Sequence, residues 1–382
     1  MPADAHTEIA VIGAGAVGLA CAAALARRGH GVVVLERHDG PGRETSSRNS
    51  GVIHAGLYYE PGSIKAATCV EGRERIYARC ARDAVPHRKT GKLVVAVDEA
   101  ERARLEALAE RALANGAGAI EILEREEVEA REPRVRACAA LWSPESGIVD
   151  AHGLMDSYRA EASAHGATFA FHTRVVGLER ETREATDAIW RIETRSDRDE
   201  RFVLRARAVI DAAGLEADRV AALAGLDVDA LGWRQRFCKG DYFSVAPSLG
   251  ALTRHLVYPL PHAVAGHLGV HVTMDLGGRY VLGPDAEDVG TPRYDVDPDK
   301  APLFGAAVRR YLPDVPDSAL TADRAGVRPR LARPGEPPRD FVIAECSALG
   351  APGLVCLIGI ESPGLTASEA IAERVAGLLV GG

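Results

Sequence analysis

The feature that most constrains the fold of this chain is the hexapeptide Gly13-Ala14-Gly15-Ala16-Val17-Gly18. It lies between a short β-rich run, Ile9 to Ile12, and an alanine-rich stretch, Ala16–Arg28, with a second β-rich run at Val32–Glu36. Runs of that kind around a helical stretch predict one βαβ unit. Within it, Gly13, Gly15 and Gly18 fall where a tight turn, close approach of a diphosphate and helix packing each demand a residue without a side chain. Ala16 and Val17 open the helix, whose free N–H groups and positive dipole end suit an anion. Glu36 closes the next strand about 20 residues further on, the place for a carboxylate that bonds ribose hydroxyls. Arg37 follows it. An acid there repels a 2′-phosphate. The unit is therefore expected to bind a dinucleotide without that phosphate.

The fingerprint does not separate FAD from NAD; later segments do. Thr45-Ser46-Ser47-Arg48-Asn49-Ser50-Gly51 supplies hydroxyls, an amide and a small residue soon after the ribose acid, suited to a second contact with a long cofactor. Thr45, Ser46, Asn49, Ser50 and Gly51 are the candidates. Near the C-terminus a strand, Leu354–Ile358, leads through Gly359-Ile360-Glu361-Ser362-Pro363-Gly364-Leu365-Thr366 into a helix, Ala367–Leu379. Such a helix start can stabilise the anionic edge of a reduced flavin, so Gly359, Gly364, Leu365 and Thr366 join the cofactor candidates. FAD is the expected cofactor.

At 382 residues and 47% hydrophobic content the chain can bury a sizeable core and is long enough for two domains. Its net charge of −8 comes from intermixed acids and bases, so no nucleic-acid surface is expected. The seven cysteines are scattered without a Cys-x-x-Cys pair or a histidine cluster at zinc spacing; no metal is expected. Asp4 and Glu8 precede the first apolar stretch where a signal peptide needs positive charge. No segment reaches the roughly 20 apolar residues of a membrane helix. The expected compartment is the cytoplasm, with peripheral membrane association left open.

Further along, Gly91–Val97 reads as a strand and Glu101–Ala114 as a helix, both peripheral to the nucleotide fold. A helix at Met155–His165 precedes strands at Thr168–Val176, Ala188–Thr194 and Ala208–Ala212, which return the chain to the first domain. Asp241–Val245, His255–Pro259, Leu268–Met274 and Arg279–Leu282 predict an antiparallel sheet. Asp285–Pro302 reads as a surface excursion and Arg330–Arg339 as a turn. The expected fold class is α/β, α+β overall: a Rossmann-like FAD-binding domain (1–85, 146–230 and 325–382) and an antiparallel-sheet substrate domain (86–145 and 231–324).

Taken in order, the fingerprint, the Ser-rich loop, Val209-Ile210-Asp211-Ala212-Ala213-Gly214 and the C-terminal loop resemble the FAD-dependent D-amino acid oxidase-like superfamily over nearly the full length. Within it, Ser47–Tyr59, then Pro61-Gly62-Ser63 and Lys65, look like the L-2-hydroxyglutarate dehydrogenase and oxidase group. Lys239–Phe243, Tyr258-Pro259, Leu268–His271 and Leu282–Pro284 are similar to that group's substrate domain. The resemblance implies that Val175 contacts adenine through its backbone and that Ala213 and Gly214 lie close to the cofactor. One departure concerns the C-terminal loop, which in that group is of the Asn-Ala-Pro-Ser-Pro-Ala-Ala type. It favours an alternative, a flavin-dependent amine or amino acid oxidase of the glycine or sarcosine oxidase type.

Oxidising a 2-hydroxy acid requires a base for the hydroxyl proton and a clamp for the carboxylate. His54 and His271 are equal candidates for the base, since an imidazole accepts protons near neutrality. Arg328 resembles the arginine that clamps the substrate carboxylate in related oxidases, a task for its planar fork. Lys239 and Tyr258 are secondary candidates for a distal carboxylate or for closing the site. A small carboxylate is the expected partner. The electron acceptor, whether oxygen, a quinone or a protein, leaves no motif.

Overall fold

The structure, a computed structural model, describes residues 4–182, 188–261, 269–333 and 335–380. Leu268 and Pro334, which belong to two of the predicted segments, lie outside them.

The opening βαβ unit forms as its sequence demands. Strand β1 (Asp4–Ile12) pairs in parallel with β2 (Val32–Leu35), Ile9 opposite Val32. Between them helix α1 (Ala16–Arg27) is apolar almost all round and buries every residue from Gly18 to Ala26, the condition of a helix inside a protein rather than on its surface. Its small side chains let the helices Ala151–Ala164 and Gly364–Val380 pack against it.

Around this unit the described residues build an eight-stranded sheet. Thr168–Ala170 joins β2, while Arg201–Asp211 joins β1, both in parallel. The last third of Arg201–Asp211 pairs in parallel with Ala351–Ile358, Asp211 opposite Cys356. Its first half pairs antiparallel with Ala188–Ser196, which continues to Thr173–Thr182. The parallel strands end together beside the glycine turn, where ligands of such sheets bind.

The second large sheet has nine strands among the described residues. Arg236–Val245 pairs with three of them and lies antiparallel to Leu320–Arg330, Cys238 opposite Arg328. Most neighbours are antiparallel, as expected, but Leu256–Pro259 runs parallel to Lys92–Ala96, Tyr258 opposite Val94.

Several expectations need correction. The Gly91–Val97 strand lies outside the nucleotide fold, as expected, but it is central to the second sheet, where Lys92–Ala96 is wholly buried between two neighbours. Thr168–Val176 breaks into two strands, Thr168–Ala170 and Thr173–Thr182, at His172, whose φ of 53° is incompatible with a continuous strand. Segment 285–302 is no free excursion. Lys300 pins it, its Nζ lying 2.7 Å from Asp241, 3.0 Å from Asp285 and 2.9 Å from Glu287. The C-terminal helix starts at Gly364, so Gly364, Leu365 and Thr366 form its first turn rather than a loop.

Helix Ile64–Arg82 and strand Leu320–Arg330 were not foreseen. The helix buries Lys65, Arg73 and Arg79 along with its apolar residues, which hides the usual amphipathic pattern. The strand carries Pro329 and four arginine or aspartate residues among its eleven, a composition that argues against a strand until its partner is known.

Candidate active site

The glycine turn is shaped by backbone contact. Gly13 adopts φ +102°, and a Cβ there would stand 2.5 Å from the Ala212 carbonyl oxygen. A Cβ on Gly18 would collide with the Gly13 carbonyl, so α1 can approach the turn only with glycine at that place. Gly15, the residue before α1, offers no side-chain cap, and the Ala16 N–H donates to Ser46 Oγ at 3.0 Å. Glu36 is held at the end of β2: Oε2 accepts the Ala14 N–H at 2.8 Å and Oε1 accepts the His38 N–H at 2.9 Å.

Two cavities meet at this turn. The smaller, about 150 Å³, is lined by Gly13, Glu36, Arg37, Val175 and Ala213 among others. The larger, about 460 Å³, is lined by Ala16, Val17, Asn49, Ser50, Gly364, Leu365 and Thr366 on the side of the first sheet. The two share Gly15, Thr45, Ser46, Ala212 and Gly214 as a common wall. An elongated space with a carboxylate at one end and helix starts along its length fits FAD: the ribose acid, the first turn of α1 and the first turn of Gly364–Val380 supply the required donors and acceptor.

Two of the expected cofactor residues play other parts. Gly51 closes its own loop, donating its N–H to Asn49 Oδ1 at 2.7 Å. Gly359 donates to Gln235 Oε1 at 2.7 Å. Neither lines either of these two cavities.

From the second sheet, Gly240, Tyr242, Tyr258, His271 and Arg328 complete the larger cavity, which His54 also lines, directly after the strand Val52–Ile53 of a small three-stranded sheet. His54 is placed by a long-range bond, its N–H donating to Thr366 Oγ1 at 3.0 Å. In its ring Nε2 lies 3.4 Å from Ser362 Oγ, while Nδ1 is buried without a hydrogen-bond partner among the described residues. Burial first, then the charges of Lys92 and His271, holds its pKa well below the usual 6.5. The imidazole is therefore neutral at pH 7. His271 stacks on Tyr258 with ring centroids 3.6 Å apart and planes 9° apart. Arg328 Nη2 reaches Cys238 Sγ and the Asp285 carbonyl, both at 3.3 Å; its Nη1 and Nε make no hydrogen bond among the described residues.

Lys239 does not belong to this site. Alternation along Arg236–Val245 turns Gly240 and Tyr242 towards the cavity and Lys239 away from it, where its ammonium pairs with Asp241 Oδ1 at 2.6 Å. Tyr242, two residues from Gly240 and of the right parity, is the wall residue that the sequence reasoning passed over. Arg48 was also missed. It lines the larger cavity, its guanidinium lies 4.2 Å over the Tyr294 ring and its buried Nε has no partner among the described residues. A cation in the Ser-rich loop was the available signal.

Glu361, in the loop that departs from the expected pattern, also lines the cavity. Its oxygens lie 3.0 Å from Lys65 Nζ and 3.1 Å from Arg330 Nε. Burial works to raise its pKa, but Lys65, Arg330 and Arg328 prevail and lower it. The negative charge is thereby compensated within the wall.

The profile of the family described as FAD dependent oxidoreductase (DAO) matches residues 8–378. The chain is 39% identical to the L-2-hydroxyglutarate dehydrogenase, mitochondrial, of Arabidopsis thaliana, over 98% of this chain and 83% of that protein. Against the Homo sapiens protein of the same name identity is 30%, over 97% of this chain and 88% of that one. Among solved structures, dithionite-reduced L-alpha-glycerophosphate oxidase from Mycoplasma pneumoniae with FAD bound superposes with a TM-score of 0.86 at 27% identity, covering 98% and 95% of the two chains. Glycine oxidase from Geobacillus kaustophilus shares the fold, with a TM-score of 0.78 at 21% identity over 98% and 95%.

Proposed function

Because the chain belongs to the FAD dependent oxidoreductase family, we propose that it oxidises a small 2-hydroxy acid, foremost L-2-hydroxyglutarate to 2-oxoglutarate. The observation that carries this reading is convergence: Arg328, His54, His271 and Tyr258 line the same cavity as the starts of α1 and of Gly364–Val380. The relatives from Arabidopsis thaliana and Homo sapiens, matched over most of their length, support the choice of substrate.

FAD, when bound, supplies the acceptor for the hydride that leaves the substrate Cα. The residues of the chain do the rest. Arg328 offers its positive charge and its unbonded Nε–H and Nη1–H groups to the substrate carboxylate, which fixes the orientation of Cα. His54, neutral and with an unengaged ring nitrogen, takes the hydroxyl proton. His271, stacked on Tyr258, supports the polar end of the cavity. The Tyr258 phenol, its pKa raised far above 10 by burial, stays protonated and can only donate or accept a hydrogen bond.

The alternative, an amine or amino acid oxidase, drew on the altered C-terminal loop. Compensation of Glu361 by Lys65 and Arg330 removes the reason to exclude an anionic substrate there. Anaerobic titration of the purified yellow protein with L-2-hydroxyglutarate is the test: bleaching of the visible flavin bands is expected, and bleaching by amino acids alone would overturn the reading.

The division into FAD-binding segments (1–85, 146–230, 325–382) and substrate segments (86–145, 231–324) belongs to the same proposal. Residues 325–330 are better counted with the substrate segments, because Leu320–Arg330 pairs with Arg236–Val245 along its whole length. No helix of the described residues is long and apolar enough to cross a membrane. A cytoplasmic setting is supported by seven buried free thiols, which suit a reducing compartment; cell fractionation checks it.

A further inference from the structure

We propose that Lys92 is a positioning residue of this site, an ammonium sealed behind Tyr258 with no carboxylate beside it, whose charge holds the His54 imidazole in its proton-accepting form. The inference rests on the proposed role of His54 as the base.

Lys92 opens the strand Lys92–Ala96 and is 0% exposed. Its Nζ is buried and makes no hydrogen bond among the described residues. Lysine is almost never fully buried unless it is paired. Here the nearest groups are aromatic: Nζ lies 4.1 Å from the centroid of the Tyr258 ring and 5.8 Å from that of Tyr58. The His271 imidazole already covers one face of Tyr258 at stacking distance, so the ammonium takes the other. Lysine, tyrosine and histidine form a three-layer stack whose outer layer borders the cavity.

The titratable groups around His54 and Lys92 come from several elements. His271 lies on its own strand and acts on His54 together with Lys92. Cys69, on helix Ile64–Arg82, donates its thiol to the His54 carbonyl at 3.5 Å and interacts with both Lys92 and Arg73. Tyr58 and Tyr258 flank the ammonium. Tyr59 lies beyond Cys69, with Glu361 beside it, already neutralised by Lys65 and Arg330. No carboxylate compensates Lys92 itself.

This arrangement has a direction. Burial brings the Lys92 ammonium down to about 7. As the pH falls, Lys92 takes up a proton before the imidazole does, and the new charge opposes a second proton on His54. For folding alone, a methionine of similar length would be the better residue, because a buried ammonium without a partner is costly. Lysine at this position weakens the fold and keeps the imidazole unprotonated down to lower pH.

The test uses the FAD-loaded full chain carrying Lys92→Met, with Lys92→Gln as a second uncharged variant and Lys92→Arg as a permanent cation. NMR of histidine-labelled protein follows the His54 titration directly. In the uncharged variants its midpoint is expected to rise by about one pH unit, the acid limb of kcat/KM to rise with it, and the melting temperature of Lys92→Met to increase. Lys92→Arg should keep the midpoint low. An unchanged His54 midpoint in both uncharged variants would overturn the inference, even if kcat falls. A shifted midpoint in a protein whose flavin no 2-hydroxy acid reduces would uphold the coupling and overturn the proposed function instead.

Discussion

In the proposed function Arg328 is the residue on which substrate affinity turns. Its Nη2 is anchored to Cys238 and Asp285, its other nitrogens make no hydrogen bond among the described residues, and the residue lines the cavity. Arg328→Leu is expected to lower kcat/KM for L-2-hydroxyglutarate by about 100- to 1000-fold, roughly 3–4 kcal/mol of lost transition-state binding. Steady-state kinetics decide it, and an unchanged value removes Arg328 from the site. His54→Asn should lower kcat by about 100- to 10,000-fold, the usual contribution of a general base. The sign of the pH dependence follows from its environment. The folded pKa lies below 6.5, so the base is competent above that lowered value and activity falls only as the pH drops through it. A wild-type acid limb at or above pH 6.5 would contradict the assignment. At this scale the sequence announced residue types but not directions. Lys239 and Tyr242 stand three apart, and the parity of a strand, invisible until the strand is paired, sends only Tyr242 into the cavity.

At the scale of single elements, the turn between β1 and α1 was legible because its cause is local. Positive φ and contact with the Ala212 carbonyl leave no room for a Cβ at Gly13. Gly13→Ala is expected to destabilise the protein by about 1–3 kcal/mol and to release FAD during purification. The absorbance ratio of flavin to protein and a denaturant melt measure both, and a fully yellow, equally stable variant would contradict the account. Helix Ile64–Arg82 was illegible for the opposite reason. Its buried face carries Lys65 against Glu361 and Arg79 against Glu161 and Glu369, partners supplied from residues far along the chain. Without them such a face reads as a solvated surface. The start of the C-terminal helix shows a milder case: its existence was plain, but its first turn reaches back to Gly364 because Thr366 is fixed by His54 and Val52.

For the whole molecule, the cavity lies between two sheets and draws walls from both. A ligand held there stabilises the folded state by mass action, roughly 2.7 kcal/mol at a free concentration 100 times its Kd. Removing FAD should therefore lower the melting temperature by several degrees and restoring it should reverse the change. Identical melting curves with and without FAD would place the cofactor outside the inter-sheet cavity. By itself the sequence determined the dinucleotide turn, the strands and helix that flank it directly, and the residue types of those site residues that lie in recognisable segments, His54, Tyr258, His271 and Arg328. Those features follow from short-range sterics, hydrophobic periodicity and the preferences of helix ends. Tertiary structure alone decided that Thr366 meets His54, a separation of 312 residues, that Lys239 turns away while Tyr242 turns in, and that Lys92 is buried rather than solvated. Pairing register and burial fix which face of a strand looks inward, and both depend on partners that no local stretch of chain contains.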